Sequence, residues 1–288
     1  MLLLEESLSS FAKMIYKLLH SDRDVNVAVA GFTGEGKSTF LINLMLEYSR
    51  ISGVPFSLSR NLTWSRKELL LWIDGEREGV KGVDGLKPGQ LPEFSAVLPD
   101  ELFKMFYRRS WFEEGQIDAI TTLNMCRDRH LFIGGNVPNF WDLDASFASR
   151  VRFYVFISER GLAWVFQQEN NPFTKDSWNV DENKRLFRRF KNPFKCPNFC
   201  FSLRFPDLSV ELKAEYLSIR NSKRGDALLD NRSERGVRYG DIKKQRDSLI
   251  KWLFQLAKEN HRKLSNKDVC DVIGISEEAV RKIRQGLS

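Results

Sequence analysis

The eight residues Gly31-Phe-Thr-Gly-Glu-Gly36-Lys37-Ser38 constrain this chain more than any other feature. They fit the spacing G-x-x-x-x-G-K-[ST], between VNVAVA at 25–30, which reads as a buried strand, and a stretch over 38–49 that reads as a helix. Glycines at these positions let backbone N–H groups converge on phosphate oxygens. A lysine beside them can reach β- and γ-phosphates, and a serine hydroxyl can ligate magnesium. Gly31, Thr33, Gly34, Glu35, Gly36, Lys37, Ser38 and Thr39 are therefore the expected nucleotide-binding residues.

Such a loop needs a carboxylate on the metal side and another to activate water. Two places offer acids. Asp74 follows LLLWI, but Ser65 and Glu68 have the spacing of a capping box, which makes 65–77 a helix and puts Asp74 on its face. Asp100-Glu101 follows FSAVLP, where a strand at 94–98 ends, and this pair is favoured: Asp100 for magnesium, Glu101 as the base. Pro99 cannot donate to a sheet ladder, which is tolerable only at a strand's end. An Asp-Glu pair points to loop NTPases that carry their own catalytic glutamate. An Asn-Lys-x-Asp base reader is missing: at Asn266-Lys267-Asp268 the next residue is Val269 where Asp is required, so ATP is favoured over GTP. Asn136 ends the apolar strand LFIGG at 131–135, a position for a polar side chain between the γ-phosphate and water. Arg127 and Arg129 precede that strand, and either could point at a neighbouring subunit's nucleotide.

Further along, 7–20 reads as a helix, 79–93 as a Gly/Pro-rich loop, 101–107 and 116–126 as helices, 151–157 and 160–168 as strands, and 169–205 as irregular. Alternating helices and strands imply a mainly parallel sheet between helices. The chain carries 288 residues and a net charge of +7, with seven basic and no acidic residues from Lys184 to Pro206. Arg188, Arg189 and Lys191 in that stretch are expected to contact a polyanion. The four cysteines and three histidines lack the spacing of a zinc site, even at Cys196 and Cys200. No apolar run is long enough to span a membrane, and MLLLEESLSS does not read as a signal peptide, so a cytoplasmic location is expected.

Residues 221–245 have few large apolar side chains and read as a basic linker. Beyond it, Cys270 at a small-residue position, Gly274 at a turn, and Val280 and Ile283 on an inner face fit a helix-turn-helix preceded by a helix at 248–260. Its second helix carries Arg281, Lys282, Arg284 and Gln285 as candidate DNA contacts. A small helical bundle docking a partner protein is the alternative. The expected organisation is thus 1–220, linker 221–245, and 246–288.

GFTGEGKST, VLPDE and RDRHLFIGGNVP, followed by DLDASFASRVRFYVFISERGLAWVF, resemble the HerA/FtsK-type DNA-translocating ATPases, especially small viral and plasmid members linked to DNA packaging or transfer. The resemblance covers about residues 24–220. It implies a RecA-like α/β fold, Lys37 and Ser38 on ATP–magnesium, Asp100 on magnesium, Glu101 as base, Asn136 as sensor, Arg127 as the arginine finger, and a homohexameric ring around double-stranded DNA. Pro99 stands where that family has an apolar or β-branched residue, and Asn136 where Gln is more usual. An ATP-switched DNA-binding regulator that does not translocate is the rival expectation; a metabolic kinase is disfavoured because the chain has no evident lid or substrate-pocket signature.

Overall fold

The computed structural model describes residues 5–75, 86–106, 120–123, 127–169, 176–259 and 263–285, without the side chains of 103, 104, 127 and 224–242. The chain divides into two compact units, Met1–Arg224 and Gly225–Ser288.

The first unit is built on one mixed sheet. Among the described residues its strands are Glu5–Glu6 (β1), Val25–Gly31 (β2), Leu62–Thr63 (β3), Ala96–Pro99 (β4), Phe132–Asn136 (β5), Val151–Glu159 (β6), Leu162–Gln167 (β7) and Phe199–Arg204 (β8). They lie in the order β1-β8-β7-β6-β2-β5-β4-β3. Pairings from β6 through β3 are parallel, as is β1 with β8; the β6-β7-β8 meander is antiparallel. The loop-bearing strand β2 is therefore central, with all its residues before Gly31 buried.

Among the described residues the helices of this unit include Leu8–His20 (α1), Lys37–Ser52 (α2), Leu58–Asn61 (α3), Arg66–Asp74 (α4), Leu102–Met105 (α5), Ala145–Ala148 (α6) and Val180–Phe190 (α7). Both faces of the sheet are covered. On one face, Phe11 of α1 sets its edge against Phe153 of β6 at 5.1 Å, and Tyr48 of α2 packs on Phe132 of β5 at 5.1 Å. On the other, Ala28 and Ala30 of β2, Val97 and Ile133 share a core with Leu69, Trp72 and Ile73 of α4 and Leu102 and Met105 of α5. The paired glycines of β5 record how closely these layers approach. A Cβ on Gly134 would lie 2.9 Å from Leu41 and Met45 of α2; one on Gly135 would lie 2.6 Å from Leu102 Cβ and from the Pro99 carbonyl.

Several elements depart from the sequence reading. The stretch 169–205, expected to be irregular, contains α7 and β8. In α7 no side chain is buried, so it carries no core-facing signature; in β8 only three residues are buried, with prolines and lysines close by. Ser65 does cap α4 by accepting from Glu68 N at 3.4 Å, but Glu68 does not complete the box: its carboxylate takes the Thr63 hydroxyl at 2.5 Å, and Thr63 Oγ1 in turn accepts from Ser65 N at 2.9 Å. Pro99 pairs only with β3 at the end of β4, and Asp100 N, the next donor, reaches Thr63 O at 2.9 Å. Of the helix expected at 116–126 only 120–123 falls within the described residues, and it is helical; of the loop expected at 79–93, residues 79–85 lie outside them.

The helix Val210–Glu259 (α8) begins in the first unit and ends in the second, so the backbone is helical through 221–245, where a linker was expected. That stretch mixes good helix formers, its Arg, Lys and Leu, with Gly225, Gly236 and Gly240, so composition alone does not mark it as helix. In the second unit, Asn266–Ile273 (α9) and Glu277–Arg284 (α10) pack with α8 around Ile250, Val269, Val280 and Ile283, flanked by Phe254, Leu264, Cys270 and Ile275. A capping box between Ser265 and Asp268 starts α9, Gly274 at φ 71° ends it, and Ser276 caps α10. Among the described residues no helix is long and apolar enough to cross a membrane.

Gly135→Ala is expected to lower the unfolding free energy by about 1–3 kcal/mol in chemical denaturation, since backbone and a helix must yield to the new methyl. Gly53→Ala, at φ 74° with open space around it, should cost about 1 kcal/mol for its backbone alone. Equal effects at both sites would contradict the packing argument.

Candidate functional site

The loop after β2 turns at Gly36, whose φ of 94° and ψ of 27° make it the left-handed cap of α2. A side chain there would be strained, which is the local reason for glycine. The first intrahelical donor is Phe40 N, to Gly36 O at 2.8 Å. The N–H groups of Lys37, Ser38 and Thr39 precede it, at the positive end of the helix dipole. Thr33 and Gly34 are exposed at the loop's tip, while Gly31, Glu35, Gly36 and Thr39 are half-buried. Lys37 lies folded over the loop: its Nζ donates to Gly31 O at 2.8 Å and Phe32 O at 2.9 Å. Burial draws this ammonium below its ordinary value, against the opposing pull of the Asp100 and Glu35 carboxylates.

The parallel register of the sheet brings the strand-end residues to this loop. Asn136 pairs with Val29 across β2 and β5. Asp100 follows β4, on the far side of β5. The result is a compact polar cluster. Asn136 Nδ2 donates to Ser38 Oγ at 2.9 Å and to Asp100 Oδ1, and Ser38 Oγ donates to Asp100 Oδ1 at 3.4 Å. Asp100 is only 5% exposed. Burial pushes its carboxyl up from the ordinary range, while hydrogen bonds from Tyr216, Asn136 and Ser38 pull it back. Adjacent Glu101 sits at φ 62°, ψ 44°, a left-handed conformation that costs a non-glycine residue roughly 1–2 kcal/mol. Strain of this kind gathers where a side chain must be aimed.

Tyr216 was not foreseen. It lies in the first turns of α8 and is 8% exposed. Its hydroxyl donates to Asp100 Oδ2 at 2.6 Å and lies 3.0 Å from Ser38 Oγ. Nothing in the sequence marks a tyrosine 116 residues from its aspartate partner. The one usable signal is the helical stripe of polar residues Tyr216, Arg220 and Lys223. Arg220 stacks over the Tyr216 ring at 5.8 Å, and Lys223 Nζ donates to Leu62 O and Glu68 Oε1, each at 2.9 Å.

The rejected acid is elsewhere: Asp74 ends α4, with its carboxylate 3.5 Å from Lys87 Nζ. Arg129 donates its guanidinium to the Leu91 carbonyl within the same chain. Arg127 stands in the 3-10 turn Arg127–Arg129, and its side chain lies outside the described residues. Arg188 and Arg189 in the last turn of α7, and Lys191 beyond it, are exposed. Arg189 lies over Phe190 at 5.2 Å, and Lys184 over Trp141 at 5.9 Å, so the cations are interleaved with half-exposed rings. In α10, Arg281 is exposed, Lys282 pairs with Glu278 at 2.9 Å, and Arg284 lies over Phe254 at 4.6 Å and donates to Asn266 Oδ1 at 3.4 Å.

A hydroxyl and a carboxylate form an all-oxygen donor set that suits a hard divalent cation. The glycine turn at a helix N-terminus suits a phosphate chain. Both would suit a magnesium–nucleotide ligand, which Ser38 and Asp100 would hold by its metal and residues 31–39 by its phosphates.

No family model matches the chain, and no curated protein matches it. Among solved structures it is similar to the N-terminal domain of zonular occludens toxin from Neisseria meningitidis, at 16% identity over 50% of this chain and 83% of that one, TM-score 0.35. It is also similar to a chain of the E. coli MS115-1 HORMA:CdnC:Trip13 complex, at 13% identity over 64% and 66%, TM-score 0.33. A third is the genome packaging NTPase B204 from Sulfolobus turreted icosahedral virus 2 in complex with ATP-gammaS, at 9% identity over 51% and 92%, TM-score 0.32.

Glu101→Gly should raise the unfolding free energy by a few tenths to about 1 kcal/mol, by relieving the left-handed backbone. Thermal and chemical unfolding check this, and a loss of stability would mean that the side chain holds the turn together.

Proposed function

We propose that the chain is a P-loop ATPase that acts on double-stranded DNA as a homo-oligomeric ring, most simply a hexamer, driving its translocation, packaging or transfer. What chiefly supports the reading is the meeting of Ser38, Asp100 and Asn136. Three polar residues from three separate stretches converge within hydrogen-bond reach of one glycine loop.

In this reading Lys37 leaves the Gly31 and Phe32 carbonyls for the β- and γ-phosphates, and the amides of residues 34–39 line the phosphate chain. Magnesium on Ser38 and Asp100 would neutralise charge building between the β- and γ-phosphates. Glu101 accepts a proton from the water that attacks the γ-phosphorus, while the bond to the bridging oxygen breaks and ADP leaves. Asn136 orients that water. Arg127 acts from a neighbouring subunit on the charge of the transition state. DNA phosphates are met by Arg188, Arg189 and Lys191, and by a helix-turn-helix at 246–288 through Arg281 and Lys282. Arg284, already engaged with Phe254 and Asn266, contributes to that contact by bracing α10.

Lys37→Ala should abolish ATP turnover without loss of fold, and Glu101→Gln should bind ATP but hydrolyse it at least about a hundredfold more slowly. An equal loss in Asp74→Asn would favour the rejected acid. Mixing Arg127→Ala with Glu101→Gln subunits should recover part of the activity; no recovery counts against a finger acting between subunits. Replacing Arg188, Arg189 and Lys191 by alanine should weaken duplex binding and flatten its dependence on salt. ATP-dependent displacement of a triplex strand is the expected sign of a motor. DNA binding without displacement would make the protein an ATP-switched regulator instead.

A further inference from the structure

Ser38 Oγ is crowded. A hydroxyl oxygen has three non-covalent directions, one for its proton and two for lone pairs. Around it stand Asn136 Nδ2 at 2.9 Å, Tyr216 Oη at 3.0 Å and Asp100 Oδ1 at 3.4 Å. The tyrosine has one proton, and the shorter contact gives it to Asp100 Oδ2, so towards Ser38 its oxygen is a close neighbour that does not itself donate. Tyr216 also covers Asp100 Oδ2 at 2.6 Å. A magnesium ion requires a lone pair of the serine oxygen at about 2.0–2.1 Å, with nearly octahedral geometry. An oxygen that stands against both Ser38 Oγ and Asp100 Oδ2 crowds the place a metal held by both would take, so a neighbour has to give way to it.

The three are not equally free to do so. Asp100 is itself part of the oxygen donor set. Asn136 projects from a central strand whose backbone is locked to β2, with Val137 N on Val29 O at 2.9 Å, and it serves both Ser38 and Asp100. Tyr216 comes from α8, a helix outside the sheet. Seven residues on, Lys223 on the same helical face fastens α8 independently to β3 and α4, through Leu62 O and Glu68. The hydroxyl of Tyr216 can thus leave while α8 keeps a second attachment to the unit.

We propose that Tyr216 is a component of the magnesium–nucleotide site: its hydroxyl closes the Ser38–Asp100 pair and yields that position to the metal, so that loading the site loosens the first turns of α8. This rests on the reading of Ser38 and Asp100 as the metal side of a nucleotide site. It goes beyond that reading by assigning a residue of α8 to the site and a conformational output to its occupancy.

The test uses the full-length chain and a non-hydrolysable ATP analogue, titrated calorimetrically with magnesium and with EDTA. Tyr216→Phe should bind the magnesium complex roughly tenfold more tightly than the wild type, because the competing hydroxyl is gone. With EDTA the two proteins should agree within about twofold, since the phosphate cradle alone does not displace the tyrosine. In the wild type, amides at 212–220 should exchange hydrogen several-fold faster with the magnesium complex than with the analogue in EDTA. This second arm needs no variant and decides the matter if Tyr216→Phe does not fold. Equal or weaker binding of the magnesium complex by a folded variant, or unchanged or slower exchange at 212–220 in the wild type, overturns the proposal. Wild-type binding that Lys37→Ala abolishes, combined with either of those results, leaves the nucleotide reading standing and removes Tyr216 from it. No binding by the wild type overturns both.

Discussion

A carboxylate placed almost wholly out of water must be surrounded by donors, and Asp100 is the point on which this structure turns. Its burial alone would penalise the charged form by several kcal/mol. Asn136, Tyr216 and Ser38 each direct a donor at it. Those partners come from β5, α8 and the loop at the start of α2. The aspartate therefore joins the ends of two strands to the glycine loop and to a helix from the far end of the first unit. The loop and α8 thus meet at Asp100, and also directly where Tyr216 lies against Ser38.

The sheet makes that convergence possible. With β5 inserted between β2 and β4, Asn136 falls between the loop and the acid, and the Gly134-Gly135 pair lets α2 and α5 close on the two faces of the same strand. Rigid backbone thus positions Asn136 and Ser38. The strained part is confined to Glu101, at the turn into α5. That division suits a site in which a base is aimed while the cradle stays fixed.

Much of this was legible from residue order. The loop could be read because strand, glycine turn and helix follow one another without a gap. Asp100 and Asn136 could be read because each is polar and follows or ends an apolar run. Other parts were hidden for physical reasons. Tyr216 looks like any residue of an amphipathic helix, since its role depends on a contact formed only in three dimensions. β1 and β3 are two residues long and have no periodicity to detect. α7 buries nothing, so the apolar pattern that betrays most helices is absent there. The stretch at 221–245 reads as a linker because it is poor in large apolar residues and carries Gly225, Gly236 and Gly240, and nothing in its composition marks the helix that runs through it. The capping box at Ser65 was half realised, because Thr63 and Lys223 compete for Glu68.

The central claim is that the Gly31–Ser38 loop and the Asp100 carboxylate hold one magnesium–nucleotide between them. A crystal structure of the chain grown with magnesium and a non-hydrolysable ATP analogue tests it most directly. The claim requires the triphosphate wrapped by the amides of residues 34–39, the metal on Ser38 Oγ, and Glu101 facing the terminal phosphate. An analogue bound elsewhere, or a terminal phosphate remote from Asp100 and Glu101, would contradict it.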